Sequence, residues 1–409
     1  MHLVPVSVES IRIHQPLPFP LMDKNGVLLA KRAFVIDSRE DLASMAQRGG
    51  GLYIDVADSE AHHRAYVENL HKLVRNNKSL GEIANAQITA DMLAVRNAQE
   101  NDRPDWLDLQ MQGNTLLRDT NATQFMERLL RLNSQLNRFS RRNPDGTLFA
   151  LVHLSATEIQ MYSATHSMLV SVMCGLAARE VLKWPQERES QLCMAALTMN
   201  LGMTVLQDQL NRQIEAPTLA QRKVIDAHAT RSADMLAEMG VDDPVWLEAV
   251  VGHHTQMPGP LQSRTPAQQI ARLIQRADMF AARLAPRASR TPISPAAAMQ
   301  ACYFDENRQV DEAGAALIKA VGIYQPGTFV RLATDEIAVV IKRGLNTSTP
   351  RVAVLVSRSG MPTLEPTIRE TSTRDYRIVA SVPHREVKVQ INLERLLPLT
   401  AAPASDRPW

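Results

Sequence analysis

The sequence predicts a mainly α-helical protein with a small mixed α/β unit at its start and a short antiparallel β appendage at its end. Three observations carry this. Residues 3–14 alternate apolar and polar side chains in the strand period, a helical period dominates from Pro144 to Tyr324, and three β-branched runs follow residue 328.

In chain order, Leu3 to His14 reads as strand, and Gly26-Val27-Leu28-Leu29 and Ala33-Phe34-Val35-Ile36 as further short strand pieces. Ser38 can cap a helix that ends at Gly49-Gly50-Gly51, before a strand at Leu52-Tyr53-Ile54. These elements make residues 1–56 a small accessory domain. Residues 57–143 read as a helical connector broken at Asn101-Asp102-Arg103-Pro104. Its Asn121–Arg141 helix carries Phe125, Leu129, Leu132 and Leu136 on one stripe, which must be covered either by the next domain or by a second copy in a homodimer.

Residues 144–325 form the helical core. One helix is expected over Glu158–Glu180 and a second over Glu189–Gln209 after Pro185; a third starts at the capping box Thr218-Leu219-Ala220-Gln221 and stops near Met239, before Gly240. Residues 326–400 hold the strand runs Thr328–Leu332, Ile337–Ile341 and Val352–Val356, and 401–409 read as a tail.

The chain has 409 residues, enough for two or three folded units, and 45% hydrophobic against 22% charged residues is a globular composition. Lys and Arg total 45 against 43 Asp and Glu, a net +2, so no DNA-binding or anionic-membrane character is expected. Cys174, Cys193 and Cys302 sit in apolar helical surroundings without metal-type spacing and read as core thiols of a reducing compartment. The start of the chain lacks a basic segment followed by an apolar run, and the most apolar stretch, Met168–Ala178, is too short to cross a bilayer. A cytoplasmic protein without a membrane span is expected.

His166, His228, the pair His253-His254 and Asp278 lie within the central block. Imidazoles plus a carboxylate are donors that first-row divalent metals accept, and a helical bundle assembles such a set from several helices. Adjacent histidines diverge by about 100° on a helix, so both reach one centre only at a helix end or across a bridged metal pair.

Residues 144–325 resemble the HD-GYP family, metal-dependent phosphodiesterases of bacterial signalling that hydrolyse cyclic di-GMP. The resemblance runs in order through Tyr162-Ser163-Ala164-Thr165-His166-Ser167, Ala195-Ala196-Leu197, Leu219 to His228, Val251-Gly252-His253-His254 and Arg276-Ala277-Asp278-Met279-Phe280. It ends at the exit segment Gly322–Leu332. It implies an HD-type helical bundle with metal ligands His166, His228, His253, His254 and Asp278. Residues 3–56 resemble, more weakly, an accessory domain found before such cores.

The departures are specific. Where the family has His-Asp and then Gly-Lys, this chain has Met199-Asn200-Leu201-Gly202-Met203, and where the family runs from His-His-Glu to Gly-Tyr-Pro it has His253-His254-Thr255-Gln256-Met257-Pro258-Gly259. Asn200 offers one neutral carbonyl oxygen in place of a bridging carboxylate, Met199 a soft thioether in place of an imidazole, and Met203 no cation for a substrate phosphate. Met199 and Met203 read as a buried helix face, i and i+4, rather than as a soft-metal site. The retained set carries a formal −1, so two divalent cations would leave about +3 and one about +1, which favours a single zinc, manganese or iron ion. Arg283, Arg287 and Arg290 could meet a phosphate, although solvated basic residues are the commoner case.

Two functional expectations follow. One is a degenerate HD-GYP-like signalling protein, impaired in hydrolysis and acting through a cyclic dinucleotide or a signalling protein partner. The other is a phosphodiesterase with a reduced metal site. A related signalling domain that discards nearly all the ligands is disfavoured by the five retained residues.

Overall fold

The computed structural model describes residues 3–11, 13–15, 17, 19–31, 34–55, 104–119, 122–157, 161–284, 295–389 and 391–401. Most of the 57–143 connector, including the Asn101–Arg103 break, and all but the first residue of the 401–409 tail lie outside the described residues. By its contacts the chain divides into two units, Met1–Asp105 and Trp106–Trp409.

The first unit is an antiparallel four-stranded sheet of order β1-β4-β2-β3. Its strands are β1 (Leu3–Pro5), β2 (Leu21–Met22), β3 (Leu28–Ala30) and β4 (Tyr53–Asp55), with Leu3 opposite Asp55 and Met22 opposite Tyr53. Helix α1 (Arg39–Arg48) starts where expected, the Ser38 hydroxyl accepting from the Asp41 amide at 3.0 Å. Gly50 and Gly51 follow with φ of 63° and 115°, a region that favours glycine. Phe19, Leu21, Ile36, Leu52 and Ile54 form its core. The strand expected over residues 3–14 is shorter than its alternation suggested, because the chain turns through a 3-10 helix at Val8–Ser10. Phe34–Ile36 contribute a single bridge rather than a strand, and Ala33 lies outside the described residues.

The second unit is a helical core with a sheet at its end. Its first helices are α2 (Trp106–Arg118), α3 (Ala122–Arg142), α4 (Pro144–Thr157) and α5 (Tyr162–Leu176). Every residue of α5 is buried, as suits a helix apolar on all sides at the centre of a bundle. The predicted helix over Glu158–Glu180 therefore differs at both ends: residues 158–160 lie outside the described residues, and beyond Leu176 the backbone widens into a π-turn, Ala177–Leu182. Phe125, Leu129, Leu132 and Leu136 of α3 are all buried in this unit's own core, so the stripe is not left for a second copy.

Helices α6 (Gln186–Thr198) and α7 (Thr204–Arg212) replace the single helix expected over Glu189–Gln209. They are followed by α8 (Leu219–Glu238), α9 (Pro244–Gly252), α10 (Pro266–Leu284), α11 (Pro295–Tyr303) and α12 (Glu312–Val321). The capping box at Thr218 is formed in both directions, and α8 stops at Met239 before Gly240 at φ 89°. All three cysteines are buried and unpaired with one another. No helix of the described residues is long and apolar enough to cross a membrane.

Strands β5 (Phe329–Leu332), β6 (Ile337–Lys342), β7 (Arg351–Val356), β8 (Pro362–Glu370) and β9 (Ile378–Val382) form an antiparallel sheet of order β8-β7-β6-β5-β9. One face, with Phe329, Val339, Ile341 and Leu355, packs with Phe149 of α4 and Leu396 of α13 (Leu393–Thr400). Arg343 pins the sheet to the bundle, its guanidinium reaching Asp145 at 2.8 Å and Glu180 at 2.9 Å.

Candidate metal centre

Three elements bring imidazole nitrogens together. His228 lies midway along α8, His253 caps the C-terminus of α9, and His254 is the next residue as the chain leaves that helix. The helix end resolves the angular problem of adjacent histidines: a turn closed by the Thr255 amide on the Gly252 carbonyl at 2.9 Å lets both rings face α8. The His228 Nε2 lies 3.3 Å from His253 Nε2 and 3.2 Å from His254 Nε2.

The backbone fixes which nitrogen is presented. His253 Nδ1 lies 2.6 Å from the Val250 carbonyl, and His228 Nδ1 meets the Ile225 carbonyl in the same i−3 relation. A carbonyl only accepts, so each Nδ1 carries the proton and each Nε2 turns a lone pair inward. Burial lowers the His228 pKa and pushes that of His253 down to about 3, which keeps both rings neutral. Two lone pairs 3.3 Å apart repel unless a proton or a cation lies between them. That spacing is also the edge of a tetrahedron whose corners lie about 2.0–2.1 Å from a central zinc, an edge of about 3.3–3.4 Å. His228, His253 and His254 thus fit one divalent cation, and His228 and His253 have the supporting Nδ1–H bonds that ligating histidines commonly have.

His166 and Asp278 stand in a different relation. His166, buried on α5, places Nε2 2.7 Å from Asp278 Oδ1 on α10, and the Tyr162 ring stacks on the imidazole with centroids 5.4 Å apart. Burial alone would push the Asp278 carboxyl up. The hydrogen bond and charge of His166, with His253 and His254 nearby, outweigh it and hold the group below the usual carboxylate range. The five residues therefore form a three-imidazole cluster and a directly bonded His–Asp pair within electrostatic reach of it.

Helix α10 is fixed from behind, which sequence reasoning did not find. Arg272 lies buried with its guanidinium on Glu306 at 2.8 Å and on Asp311 at 2.7 Å, and Arg276 reaches Asp311 at 3.3 Å. The i, i+4 spacing of these arginines just before Asp278 was the available signal.

The other side of the site departs from expectation. The chain leaves α6 at Met199, turns through a 3-10 segment, Leu201–Met203, and re-enters helix at Thr204, so Met199 and Met203 do not share one helix face. The cause is tertiary. The Gly202 amide donates to Ser232 Oγ at 2.9 Å instead of completing a helical bond, and Ser232 Oγ donates at 2.7 Å to the His228 carbonyl. A Cβ at Gly202 would meet that carbonyl at 2.9 Å, so glycine is what lets the turn lie against α8.

Met199 is wholly buried in the apolar core beside Leu197 and Leu201, as expected for its burial but not for its helix. Asn200 is buried, and its Oδ1 has no hydrogen-bond partner among the described residues. Met203 is half-buried and lines a surface cleft instead. Arg283 donates to the Met279 carbonyl of its own helix at 3.2 Å; Arg287 and Arg290 lie outside the described residues.

The helical core thus brings imidazoles from α5, α8 and the end of α9 to the side of a carboxylate on α10. A cyclic di-GMP phosphodiesterase of Pseudomonas aeruginosa, PA4108, is 27% identical over 228 residues, 54% of this chain and 54% of that protein. The chain thus spans about half the length of the curated relative it matches. The similarity to this cyclic di-GMP phosphodiesterase agrees with the HD-GYP resemblance of the ordered motifs. A solved structure, Bd1817, an HDG"Y"P protein from Bdellovibrio bacteriovorus, overlaps at TM-score 0.41 and 14% identity, covering 77% of this chain and 98% of that one. No protein-family model matches the sequence.

Proposed function

We propose that the chain is a degenerate HD-GYP signalling protein: it holds a single divalent cation on His228, His253 and His254, hydrolyses cyclic di-GMP at or near background, and acts by binding a cyclic dinucleotide or a signalling protein. The observation that carries this is the state of the turn. Its Met199 thioether is committed to the core, its Asn200 oxygen is neutral, and its Met203 lies in a separate cleft. Three neutral imidazoles compensate no cationic charge and Asp278 supplies −1, so one divalent cation leaves about +1 and two leave about +3.

A bound divalent cation would supply Lewis acidity and a lowered pKa for its water. The chain's own residues hold the Nε2 lone pairs inward through backbone carbonyls and keep Asp278 ionised through His166. With the bridging carboxylate and the phosphate cation both replaced, the stabilisation of an in-line attack is missing. Each such loss commonly costs about two to three orders of magnitude in rate, and groups acting as a unit do not add.

The similarity to PA4108, a phosphodiesterase by name, favours the alternative, an enzyme working with a reduced site. A turnover assay on cyclic di-GMP, with manganese, iron(II) and zinc supplied separately, distinguishes the two readings. The parent chain is expected at background; turnover gained by a Met199→His, Asn200→Asp, Met203→Lys variant would make those three replacements the cause of its silence. Turnover by the parent at an ordinary enzymatic rate would establish the active reading.

A further inference from the structure

The face of α8 that bears His228 also carries Val224, Arg231 and Met235, one turn before it and one and two turns after. These residues, the Leu201–Met203 turn and the first turns of α7 enclose a cleft of about 360 Å³ near the end of α2. That volume falls within the range of small-molecule sites, about 300–1,000 Å³. Its lining is mainly apolar, with Met203, Leu206, Val224 and Met235, beside Thr204, Gln209 and two arginines, Arg118 and Arg231. Neither a carboxylate nor any of the five metal-type residues lines it.

The two cations differ. Arg118 is committed to the buried carboxylate of Asp208 at 2.5 Å and to Asn114 at 2.9 Å. The Arg231 guanidinium has no hydrogen-bond or ion-pair partner among the described residues, and its stem lies against Gly202. An apolar trough with one uncommitted cation and no opposing anion is complementary to a ligand with an apolar body and one negative end. It is a poor match for a nucleotide, since no aromatic ring lines it for a base to stack on.

We propose that this cleft binds a single-chain fatty carboxylate, its tail along Met203, Leu206, Val224 and Met235 and its head on Arg231. This ligand is independent of any metal or nucleotide at the histidines.

Calorimetric titration of the full chain with decanoate below its micellar concentration tests the proposal, with decyltrimethylammonium as the cationic comparator of equal tail. Saturable one-site binding of decanoate is expected, at least about tenfold tighter than the comparator, because a charge-assisted hydrogen bond replaces a like-charge contact. Arg231→Glu, at an exposed position, should weaken decanoate at least tenfold without lowering the melting temperature, Val224→Trp should block the trough, and His254→Ala should bind as the parent does. Absence of saturable decanoate binding, equal affinity for both amphiphiles, or parental affinity in Arg231→Glu would each overturn it.

Discussion

The α8–α9 side of the site and the α6–α7 side have come to opposite ends. On the first, His228 and His253 are each held by a backbone carbonyl so that the donor atom faces inward, an arrangement useful to a ligand and costly to an idle core residue. On the second, the positions that would carry an imidazole, a carboxylate and an ammonium hold Met199 in the core, an Asn200 oxygen without a partner, and Met203 in a cleft. The two walls thus differ in donor chemistry although they are joined by the Gly202–Ser232–His228 relay and by Trp246 Nε1, which donates to Thr198 Oγ1 at 3.1 Å.

Substitution separates the two walls most sharply. Met199→His forces an imidazole into a fully apolar pocket and is expected to destabilise the fold by about 2–5 kcal/mol, whereas Met199→Leu should cost less than about 1.5 kcal/mol. His254→Ala, at an exposed position, should stay within about 0.5 kcal/mol of the parent while losing metal. Urea denaturation of the three variants without metal checks the ordering. A neutral Met199→His would mean that the turn still has room for a ligand.

A smaller effect concerns the support of Asp278. The hydrogen bond from Arg272 is the main reason that the Glu306 carboxyl is held down to about 2. Because the folded-state value is depressed, its contribution is full above the ordinary value near 4.5 and is lost as the pH falls through about 2. Glu306→Gln should therefore cost on the order of 1–2 kcal/mol at pH 7, after allowance for solvent screening, and almost nothing near pH 2. Stability curves of parent and variant that stay parallel from pH 7 to pH 2 would show that Arg272 is satisfied by Asp311 alone.

What the sequence could show depended on how local the cause was. The Thr218 capping box, the Ser38 cap and the β5–β7 runs are written in neighbouring residues, and they formed as read. The break at Met199–Asn200 is not local: residues 189–209 keep a helical pattern, and the interruption comes from Ser232, thirty positions away. β8 escaped notice because it is an exposed edge strand with little apolar alternation, and α13 because it is short and contains Pro398. The candidate ligands were legible through motif order. The direct bond between His166 and Asp278 was not, since it requires α5 and α10 to be side by side.

Metal content per chain bears most directly on the division between the two walls. Elemental analysis of the purified chain after dialysis against each of zinc, manganese and iron(II) should find one ion per chain, falling below about a tenth in His228→Ala. Two ions per chain in the parent would contradict it, because Met199 and Asn200 would then have to stand in a bridged pair.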